Sequence, residues 1–504
     1  MKMDEKLLLR LQNGSDVRGI AMEGIEGEEV NLQPEAVNVI AGAFVRFLAK
    51  ETGKTPSTLK IAIGHDSRLS AQSLKEASIK GIMGQGAMAV DCSMASTPAM
   101  FMSIIFDETR MDGAIMITAS HLPFNRNGMK FFTAKGGLEK KDITALLQMA
   151  ATIDAAKADI AGAPKLDLIE IYARHLREKI QSGVNNRENY DRPLLGMHIV
   201  VDAGNGAGGF FADRVLKPLG ADTEGSCFLE PDGHFPNHIP NPENKEAMAA
   251  IKGAVLSSKA DLGIIFDTDV DRMSAVLPDG KDISRNALIA MMAAILRADY
   301  PGSTIVTDSV TSDELTDFLE KHLSMKHHRF MRGYKNVINE CIRLNNSGTV
   351  SPLAIETSGH GALSENYYSD DGAYLAVKLI IAAAQAFKNG GSLASLIADL
   401  DYPAEAKEYR LYIRGVEDFK AYGNAVLEKF KERAVEKGIR IASPSYEGVR
   451  LVFPNKGWIL LRLSLHDPNM PMNIEGKQPG DCDELTQIAK ELVAGFDHLD
   501  TSVM

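Results

Sequence analysis

Three pairs of apolar runs that end in polar residues recur along the chain. The first runs are "LKIAIGHDSR", "MHIVVDAGNG" and "GSTIVTDSV", which carry Asp66, Asp202 and Asp308 at their ends. Their partners farther along are "GAIMITASH", "DLGIIFDTDVD" and "SPLAIETSGH", and helix-like patterns such as "SAQSLKEASIKGIMGQG" lie between the two runs of a pair. Short apolar runs bounded by turn residues predict buried strands. Strand–helix–strand alternation predicts parallel pairing, and its recurrence predicts three related mixed α/β domains.

The last hundred or so residues follow a different pattern. "LEKFKERAVEKGIRI" predicts a helix and "GWILLRLSLHD" predicts a strand, which together indicate a smaller C-terminal α+β domain. Ligands of open α/β sheets bind beyond the carboxyl ends of the strands, so we expect the polar strand ends to face a central cleft. The predicted domains span residues 1–165, 166–282, 283–402 and 403–504.

Composition narrows the class of protein. The 504 residues carry a net charge of -12, which argues against a nucleic-acid partner. The four cysteines form no CxxC motif, which suits a reducing cytoplasm better than a disulfide framework. The start "MKMDEKLLLRLQNG" has too few apolar residues for a signal peptide, and the run 287–296 is too short to cross a membrane. We therefore expect a cytoplasmic protein without a membrane partner; the sequence does not indicate its oligomeric state.

The stretch "GAIMITASHLPFNRNGMKFF" begins as an apolar strand and continues into a segment that contains a serine, a histidine and a lysine. After the strand, which we place at Ala114 to Ile117, come Thr, Ala, Ser120 and His121, and Lys130 comes soon after. A plain loop would use Gly, Asn and Asp. One interpretation is that Ser120 is a nucleophile or phosphate carrier at a rigid strand end.

The segment "DTDVDR" is the strongest local signal. Asp267, Asp269 and Asp271 are spaced at i, i+2 and i+4, and carboxylate oxygens of this kind suit Mg²⁺. Arg272 and Pro278 stand where an EF-hand needs Gly and Glu, which excludes that motif. A solvated acidic turn is the alternative. Three carboxylates that directly follow a buried strand would repel one another without a cation, which favours the metal site over the solvated turn.

The segment "ETSGH" ends another apolar run. Glu356 and Ser358 could bind sugar hydroxyls, and His360 could contact phosphate or move a proton. The alternative is that Ser358 is a helix N-cap.

"DAGNGAGG" matches the GxGxxG pattern of dinucleotide-binding proteins. It contains Gly204, Gly206 and Gly209, and Glu224 follows at about the expected spacing. An oxidoreductase would use this segment, but the serine loop and the aspartates would then have no role. We favour a tight strand-to-helix turn.

Several further residues are ambiguous by themselves. Arg18 in "GSDVRG" and Lys335 in "GYKNV" fit a surface position as well as a catalytic one. The loop "LRLSLHDPNMP" brings together Arg462, Ser464 and His466, which could clamp a phosphate or form an ordinary turn.

Taken in order, these motifs make the chain resemble the α-D-phosphohexomutase superfamily, and within it the phosphomannomutase/phosphoglucomutase group. "TASHLP…NGMK" resembles the phosphoserine loop, "DTDVDR" the magnesium loop, "ETSGH" the sugar-recognition loop and "LRLSLHDP" the C-terminal phosphate loop. "GSDVRG", "GHDSRLS" and "PDGHFPNHIPNPE" also match family patterns. The resemblance covers nearly the whole chain.

The resemblance implies an intramolecular phosphotransferase that interconverts hexose 1-phosphate and hexose 6-phosphate, with mannose or glucose as the sugar. A hexose 1,6-bisphosphate would be both intermediate and activator, and hexose phosphates would be the binding partners. The implied catalytic residues are Ser120, Lys130, Arg18, His121 and His360. The implied Mg²⁺ ligands are Asp267, Asp269, Asp271 and Ser120. The implied substrate-binding residues are Arg272, Lys335, Glu356, Ser358 and His360, and the implied phosphate-binding residues are Arg462, Ser464, His466 and Asn469.

The chain departs from the family pattern at four places. Leu122 precedes Pro123 in the serine loop, Thr268 and Ile355 stand where the family has Gly, and Pro471 stands where the phosphate loop has Arg. We expect Arg462 to carry more of the phosphate binding, with Arg450 as a second candidate cation and Asn473 as a neutral donor. Phosphoglucosamine mutase remains an alternative. A metal-dependent sugar-phosphate phosphatase, an oxidoreductase or a non-catalytic sugar-phosphate sensor are more remote ones.

Overall fold

The computed structural model describes residues 2–464 and 467–504. The chain divides into two compact units. The first consists of Met1–Ser284 and Ser358–Leu396, and the second of Arg285–Thr357 and Ile397–Met504.

The first sheet is mixed and carries the predicted serine loop. Its strands are β1 (Gln12–Asn13), β2 (Asp16–Ile20), β3 (Lys60–His65), β4 (Met88–Met94), β5 (Gly113–Ile117), β6 (Arg126–Thr133) and β7 (Gly136–Gly137). The accompanying helices are α1 (Glu5–Leu9), α2 (Pro34–Thr52), α3 (Ala71–Gly84), α4 (Thr97–Ile105) and α5 (Lys140–Ala150). The strand order is β1-β2-β6-β5-β3-β4, with β7 on β6. Pro34 starts α2 and Gly53 ends it in a left-handed conformation, as helix chemistry predicts.

The second sheet, also in the first unit, carries the aspartate triplet. Its strands are β8 (Ile199–Asp202), β9 (Leu262–Phe266), β10 (Met273–Val276) and β11 (Asp282–Ile283), with helices α6 (Leu168–Val184) and α7 (Lys245–Ser258). β9 is buried along its whole length, so Asp267, the next residue, is held in a fixed position at the end of a core strand.

The third region begins in the second unit with α8 (Asn286–Leu296), β12 (Thr304–Thr307), α9 (Asp313–Asp317), β13 (Lys326–Arg329), α10 (Tyr334–Asn346) and β14 (Leu353–Ile355). It continues in the first unit with β15 (Gly361–Leu363) and α11 (Gly372–Lys388). In the second unit, β12 pairs in parallel with β13 and β14.

The fourth sheet, in the second unit, is antiparallel. It contains β16 (Glu405–Ile413), β17 (Arg440–Ile441), β18 (Val449–Phe453), β19 (Gly457–Leu461), β20 (Asn469–Gly476) and β21 (Leu499–Asp500), and α12 (Phe419–Glu436) and α13 (Asp481–Leu492). Alternate residues such as Leu411, Ile459 and Met472 form one core with the two helices. The α+β character predicted for this region is confirmed.

Shorter helical turns connect these elements. The 3-10 turns span Pro56–Thr58, Ala207–Gly209, Ser364–Asn366 and Leu393–Ile397, and the π-helical turns span Phe211–Leu216 and Phe318–His322.

All three predicted strand pairs are neighbours in a sheet and run parallel. β3 pairs with β5, β8 with β9, and β12 with β14. The prediction of repeated parallel pairs is therefore confirmed, although antiparallel strands such as β6 and β10 make the sheets mixed. The parallel pairing places the polar residues that follow each pair at one edge of their sheet.

Two expectations from composition can be compared with the structure. All four cysteines are free thiols, as the absence of a CxxC motif indicated. No helix among residues 2–464 and 467–504 is long and apolar enough to cross a membrane. The predicted domain boundaries remain a prediction.

Candidate active site

Ser120 lies in a tightly held loop directly after β5. Its side chain is buried, and its backbone adopts a left-handed conformation with φ 52°. The Oγ atom donates a hydrogen bond to Asp267 Oδ2 at 3.0 Å and lies 3.1 Å from His121 Nδ1. The backbone N–H donates to Thr118 Oγ1 at 3.0 Å. The fold therefore brings the predicted carrier serine to the first residue of the aspartate triplet.

The aspartate triplet lies directly after β9 and is fully buried. The ligand atoms of Asp267, Asp269 and Asp271 all lie within 4.8 Å of one another. Lys130, on β6, lies 3.0 Å from Asp269 Oδ2 and forms a second ion pair with Asp271 Oδ2. Thr97 Oγ1 donates to Asp269 Oδ2 at 2.5 Å. The predicted lysine and the predicted carboxylates thus form one cluster, together with a threonine that the sequence did not single out.

The donor set of this cluster fits a hard divalent cation. Asp269 Oδ1 and Asp271 Oδ1 are buried without a hydrogen-bond partner among the described residues. Burial, followed by the charges of Asp271 and Asp269, raises the pKa of Asp267 well above its usual range. Burial would also raise the pKa of Asp271, but Lys130 and neighbouring cations lower it. A cation held by oxygen ligands would keep all three groups ionised and would engage the unpaired oxygens.

His360, immediately before β15, is fixed from two sides. Its Nδ1 lies 2.6 Å from Asp370 Oδ2, and Arg272 Nε donates to its Nε2 at 2.8 Å. The imidazole proton is therefore on Nδ1, facing Asp370. Burial alone would lower the pKa of His360, but the Asp370 carboxylate reverses this and raises it. The "DD" pair at 370–371 was the only sequence signal for Asp370.

Arg18 and His121 flank the serine loop. Arg18 donates to Asp16 Oδ2 at 2.9 Å and to the Ala119 carbonyl at 3.4 Å. Burial and then the charges of Arg272 and Arg18 lower the pKa of His121 well below its usual range. His121 is therefore neutral and can accept a proton from Ser120 Oγ.

The alternative that Ser358 is a helix N-cap is wrong. The chain continues from Ser358 into strand β15. Its Oγ is buried and has no hydrogen-bond partner among the described residues. A hydroxyl in this position remains available for a ligand.

Glu356 and Lys335 belong to the second unit. Glu356 is buried at the end of β14 and accepts a hydrogen bond from Gly333 N at 2.6 Å. Lys335 lies in the first turn of α10, whose N-cap is Gly333. The predicted sugar-recognition glutamate and the lysine segment are thus linked by a hydrogen bond from a backbone N–H to the glutamate carboxylate.

The C-terminal loop keeps two of its predicted phosphate ligands at the end of β19. Arg462 is buried, and its Nε has no hydrogen-bond partner among the described residues. Ser464 N donates to the Asn469 carbonyl at 3.0 Å, which closes the loop. His466 lies outside the described residues. A buried guanidinium with an unsatisfied donor is suited to receive an anion.

Arg450 is not available as the second phosphate cation that we expected. Its guanidinium donates to the Ser309 and Thr311 carbonyls at 3.2 Å and to Asp313 Oδ1 at 2.9 Å. It also stacks on the ring of Trp458, 3.7 Å from the centroid. These contacts assign Arg450 a structural role, because its guanidinium donates to acceptors of the protein itself and its face is covered by the Trp458 ring.

Arg410 is a better-placed cation that the sequence did not indicate. It lies on β16 directly opposite Pro471 of β20, and Arg462 N donates to the Pro471 carbonyl at 3.1 Å. Directly opposite residues point to the same face of a sheet with their Cβ atoms about 5 Å apart. The Arg410 side chain is 64% exposed, with its Nε 3.5 Å from Glu408 Oε1, and it lies on the same face of the sheet as position 471, where the family has an arginine.

The glycines of "DAGNGAGG" serve close packing of the backbone. A Cβ on Gly206 would lie 2.6 Å from the Thr268 carbonyl oxygen, and one on Gly209 would lie 2.3 Å from that of Leu229. Gly204 has φ 53°, a conformation that favours glycine. The preferred interpretation as a tight turn agrees with these contacts, and Gly206 supports the aspartate triplet directly.

Comparison with known proteins places the chain in a family. Three family models match: phosphoglucomutase/phosphomannomutase alpha/beta/alpha domain I at residues 10–157, domain II at 170–280 and domain III at 284–401. A phosphoglucomutase/phosphomannomutase from Thermococcus kodakarensis is 28% identical over 476 residues, covering 94% of this chain and 97% of that protein. A phosphomannomutase/phosphoglucomutase from Pseudomonas syringae is 27% identical, covering 86% and 89%.

The fold agrees with this relationship. The structure of a phosphoglucomutase/phosphomannomutase family protein from Burkholderia thailandensis has a TM-score of 0.77 and 23% identity, covering 98% of this chain and 99% of that one. The three family domains, the full-length relatives and this fold agree with the ordered motifs of the sequence. The chain therefore belongs to the phosphoglucomutase/phosphomannomutase family.

Proposed function

We propose that the protein interconverts hexose 1-phosphate and hexose 6-phosphate, with mannose or glucose as the sugar, by means of a phosphate carried on Ser120. The observation that supports this most is the position of Ser120 Oγ, 3.0 Å from Asp267 in a buried cluster with Lys130. A serine hydroxyl next to three carboxylates and one ammonium group has the elements that phosphoryl transfer needs: a carrier oxygen, charge compensation and a proton acceptor.

In the first step the free hydroxyl of the hexose phosphate attacks the phosphorus on Ser120. The bond between phosphorus and Ser120 Oγ breaks as the bond to the sugar oxygen forms, which yields a hexose 1,6-bisphosphate. The sugar hydroxyl gives up its proton, and Ser120 Oγ takes one. Lys130 can act on the sugar side, with Arg18 or His360 assisting. His121, 3.1 Å from Oγ, can give Oγ this proton and take it back in the second step, when Ser120 attacks.

In the second step the bisphosphate presents its other phosphate to Ser120. The same bonds form and break in reverse, so the carrier is phosphorylated again and the isomeric monophosphate leaves. Glu356 and Ser358 are suited to bind neighbouring sugar hydroxyls in both orientations, since a carboxylate and a hydroxyl accept hydrogen bonds from either. Arg462 and Ser464 would hold the phosphate that is not reacting, with Asn469 and His466 as further predicted donors.

Asp267, Asp269 and Asp271 would hold Mg²⁺, with Ser120 as a further ligand. The bound ion would withdraw charge from the serine phosphate and so favour transfer. Two of the aspartates have buried oxygens without a hydrogen-bond partner among the described residues, which supports this assignment.

A coupled assay on glucose 1-phosphate tests the proposal. We expect glucose 6-phosphate to form only with Mg²⁺ present and faster with a trace of glucose 1,6-bisphosphate. Ser120→Ala should lose at least about a thousand-fold in turnover, because the covalent carrier is absent. Mannose and glucosamine phosphates in the same assay would identify the preferred sugar.

Other outcomes point to the other candidate functions. Release of inorganic phosphate would indicate a phosphatase, and ligand binding without turnover would indicate a sensor. Full activity of Ser120→Ala, or phosphate found on a different residue by peptide mass analysis, would contradict the mutase mechanism.

A further inference from the structure

Arg68, just after β3, holds the serine loop from beneath. Its guanidinium is completely buried and donates to backbone carbonyls at both ends of the loop. The distances are 2.6 Å to Ser120 O, 2.6 Å to Leu122 O, 2.7 Å to Pro123 O and 2.8 Å to Arg126 O. One side chain therefore fixes the course of the loop from its serine to the start of β6.

Asp66 completes this clamp on the other side of the serine. Its Oδ2 lies 3.4 Å from Arg68 Nε and accepts a hydrogen bond from Thr118 Oγ1 at 2.7 Å. Thr118 Oγ1 in turn accepts from Ser120 N at 3.0 Å. The Ser120 peptide groups are thus held at N–H and at C=O by the same buried ion pair. Such a pair stabilises a fold only weakly because both charges are desolvated, and a role in holding one conformation accounts for it better.

The conformation being held is an unfavourable one. Ser120 has φ 52°, in a region that costs free energy for residues other than glycine and persists only where the surroundings impose it. This conformation is the one in which Oγ lies 3.0 Å from Asp267. A relaxed loop would move the carrier oxygen away from the aspartates.

A second loop closes Arg68 off from water. The ring of Phe235 lies over the guanidinium, 5.3 Å from its centroid to Arg68 Cζ. Gly233 packs so closely that a Cβ there would lie 2.6 Å from Leu69 N and from Ser67 O. This loop belongs to the segment "PDGHFPNHIPNPE", so the Ser120 loop depends on residues more than a hundred positions later.

We propose that Arg68 is a positioning residue for the transfer of phosphate to and from Ser120. It turns the negative ends of four peptide groups toward itself and thereby away from the phosphate that Ser120 carries. It acts through the loop and needs no contact with the sugar. Lysine cannot replace it, because four carbonyls around one planar group match the fork of guanidinium donors and not a single ammonium. This inference rests on the proposed mutase function.

Steady-state kinetics on Arg68→Lys and Arg68→Gly test the proposal. We expect kcat to fall by about a hundred-fold, as for a carrier group misplaced by about 1 Å, while KM for the hexose phosphate stays within about twofold. Guanidinium ion at millimolar concentration should restore part of the kcat of Arg68→Gly, since it can refill the cavity. Phosphorylation of Ser120 by glucose 1,6-bisphosphate should slow in parallel.

Arg433→Gly is the matched control. Its guanidinium also donates to two backbone carbonyls, at 2.7 Å to Leu492 and 2.8 Å to Ala494, but in the C-terminal sheet domain. This variant should keep its kcat and show no response to guanidinium. If Arg68→Gly does not fold, Phe235→Ala provides a second test, because opening the clamp to water should lower kcat by about fivefold with KM unchanged.

Two results would overturn the proposal: wild-type kcat in Arg68→Lys, or a rise in KM with kcat unchanged. Failure of the mutase function itself would show up differently, as a wild-type protein without turnover. In that case hydrogen exchange tests the clamp by itself, because it needs no measurement of activity. Arg68→Lys should raise exchange in residues 118–128 at least about tenfold, whereas equal exchange in the variant and the wild type would refute the clamp.

Discussion

Replacing Lys130 with methionine should make the first unit dependent on Mg²⁺ for its stability. The Lys130 ammonium lies 3.0 Å from Asp269 Oδ2 and pairs with Asp271 Oδ2, and both aspartates are at most 1% exposed. Removing one partner of a buried ion pair costs about 3–5 kcal/mol, because the remaining charges stay in the interior without compensation. We expect a loss of this size when Lys130→Met is unfolded in EDTA.

Magnesium should reverse most of that loss. A ligand at a hundred times its Kd stabilises the folded state by about 2.7 kcal/mol. In the wild type the ammonium already compensates part of the charge of these carboxylates, so the stabilisation by Mg²⁺ should be smaller than in the variant. Turnover of Lys130→Met should fall by about 10²–10⁴ even with Mg²⁺, as expected for the loss of a general acid or base.

Differential scanning calorimetry in EDTA and in millimolar MgCl₂ measures both effects. Lys75→Met is the matched control, because Lys75 Nζ lies 3.0 Å from Asp91 Oδ2 in a pair that is nearly as buried. It should lose a similar free energy of unfolding and gain no more from Mg²⁺ than the wild type does. Equal Mg²⁺ responses of Lys130→Met and Lys75→Met would refute the reasoning that the ammonium borders the cation site.

Substitutions at Gly206, Arg410 and Glu475 should each change one measurable property of the protein. Gly206→Ala should weaken Mg²⁺ binding by at least about tenfold in calorimetric titration, because its Cβ would lie 2.6 Å from the Thr268 carbonyl between two of the aspartates. Gly253→Ala, which has nothing within 4 Å, should stabilise its helix by about 0.5–1 kcal/mol and leave Mg²⁺ binding unchanged. Arg410→Ala should raise KM for hexose phosphates by about tenfold, or about 1.4 kcal/mol, with kcat little changed, if its guanidinium contacts the distal phosphate. Burial, opposed by nearby cations, raises the pKa of Glu475 from 4.5 to about 7. This group's contribution to stability is therefore present below pH 4.5 and lost as pH rises through about 7, so Glu475→Gln should flatten this part of the curve of unfolding free energy against pH.

Each of these predictions can fail in a specific way. Equal Mg²⁺ affinities of Gly206→Ala and Gly253→Ala would mean that the turn does not support the aspartates. An unchanged KM in Arg410→Ala would leave Arg462 as the cation to test next, by the same kinetics. Parallel pH curves for Glu475→Gln and the wild type would show that this carboxyl does not titrate differently in the folded protein.

The sequence by itself determined the strand pairs and indicated Ser120 and the three aspartates as candidate site residues. Asp267 follows the buried run of β9 directly, and Ser120 is the third residue after the buried run of β5, so both lie beyond the carboxyl end of a strand. Such features depend on neighbours in the chain, so the pattern of apolar and polar residues is enough to find them. The ordered motifs then indicated the family.

Only the tertiary structure decided which polar side chains are held by contacts with other parts of the protein. Arg450 looked like a phosphate ligand and instead holds Asp313 and Trp458, while Arg68, to which the sequence assigned no role, clamps the serine loop. The partners in these contacts lie as much as 137 positions apart, as Arg450 and Asp313 do. No local pattern encodes such a distance, because the pairing follows from how strands and loops stack after burial of the apolar surface. In the sequence, an arginine that binds a ligand looks the same as one that holds parts of the protein together. Only the folded structure determines which carbonyl or carboxylate accepts hydrogen bonds from its guanidinium.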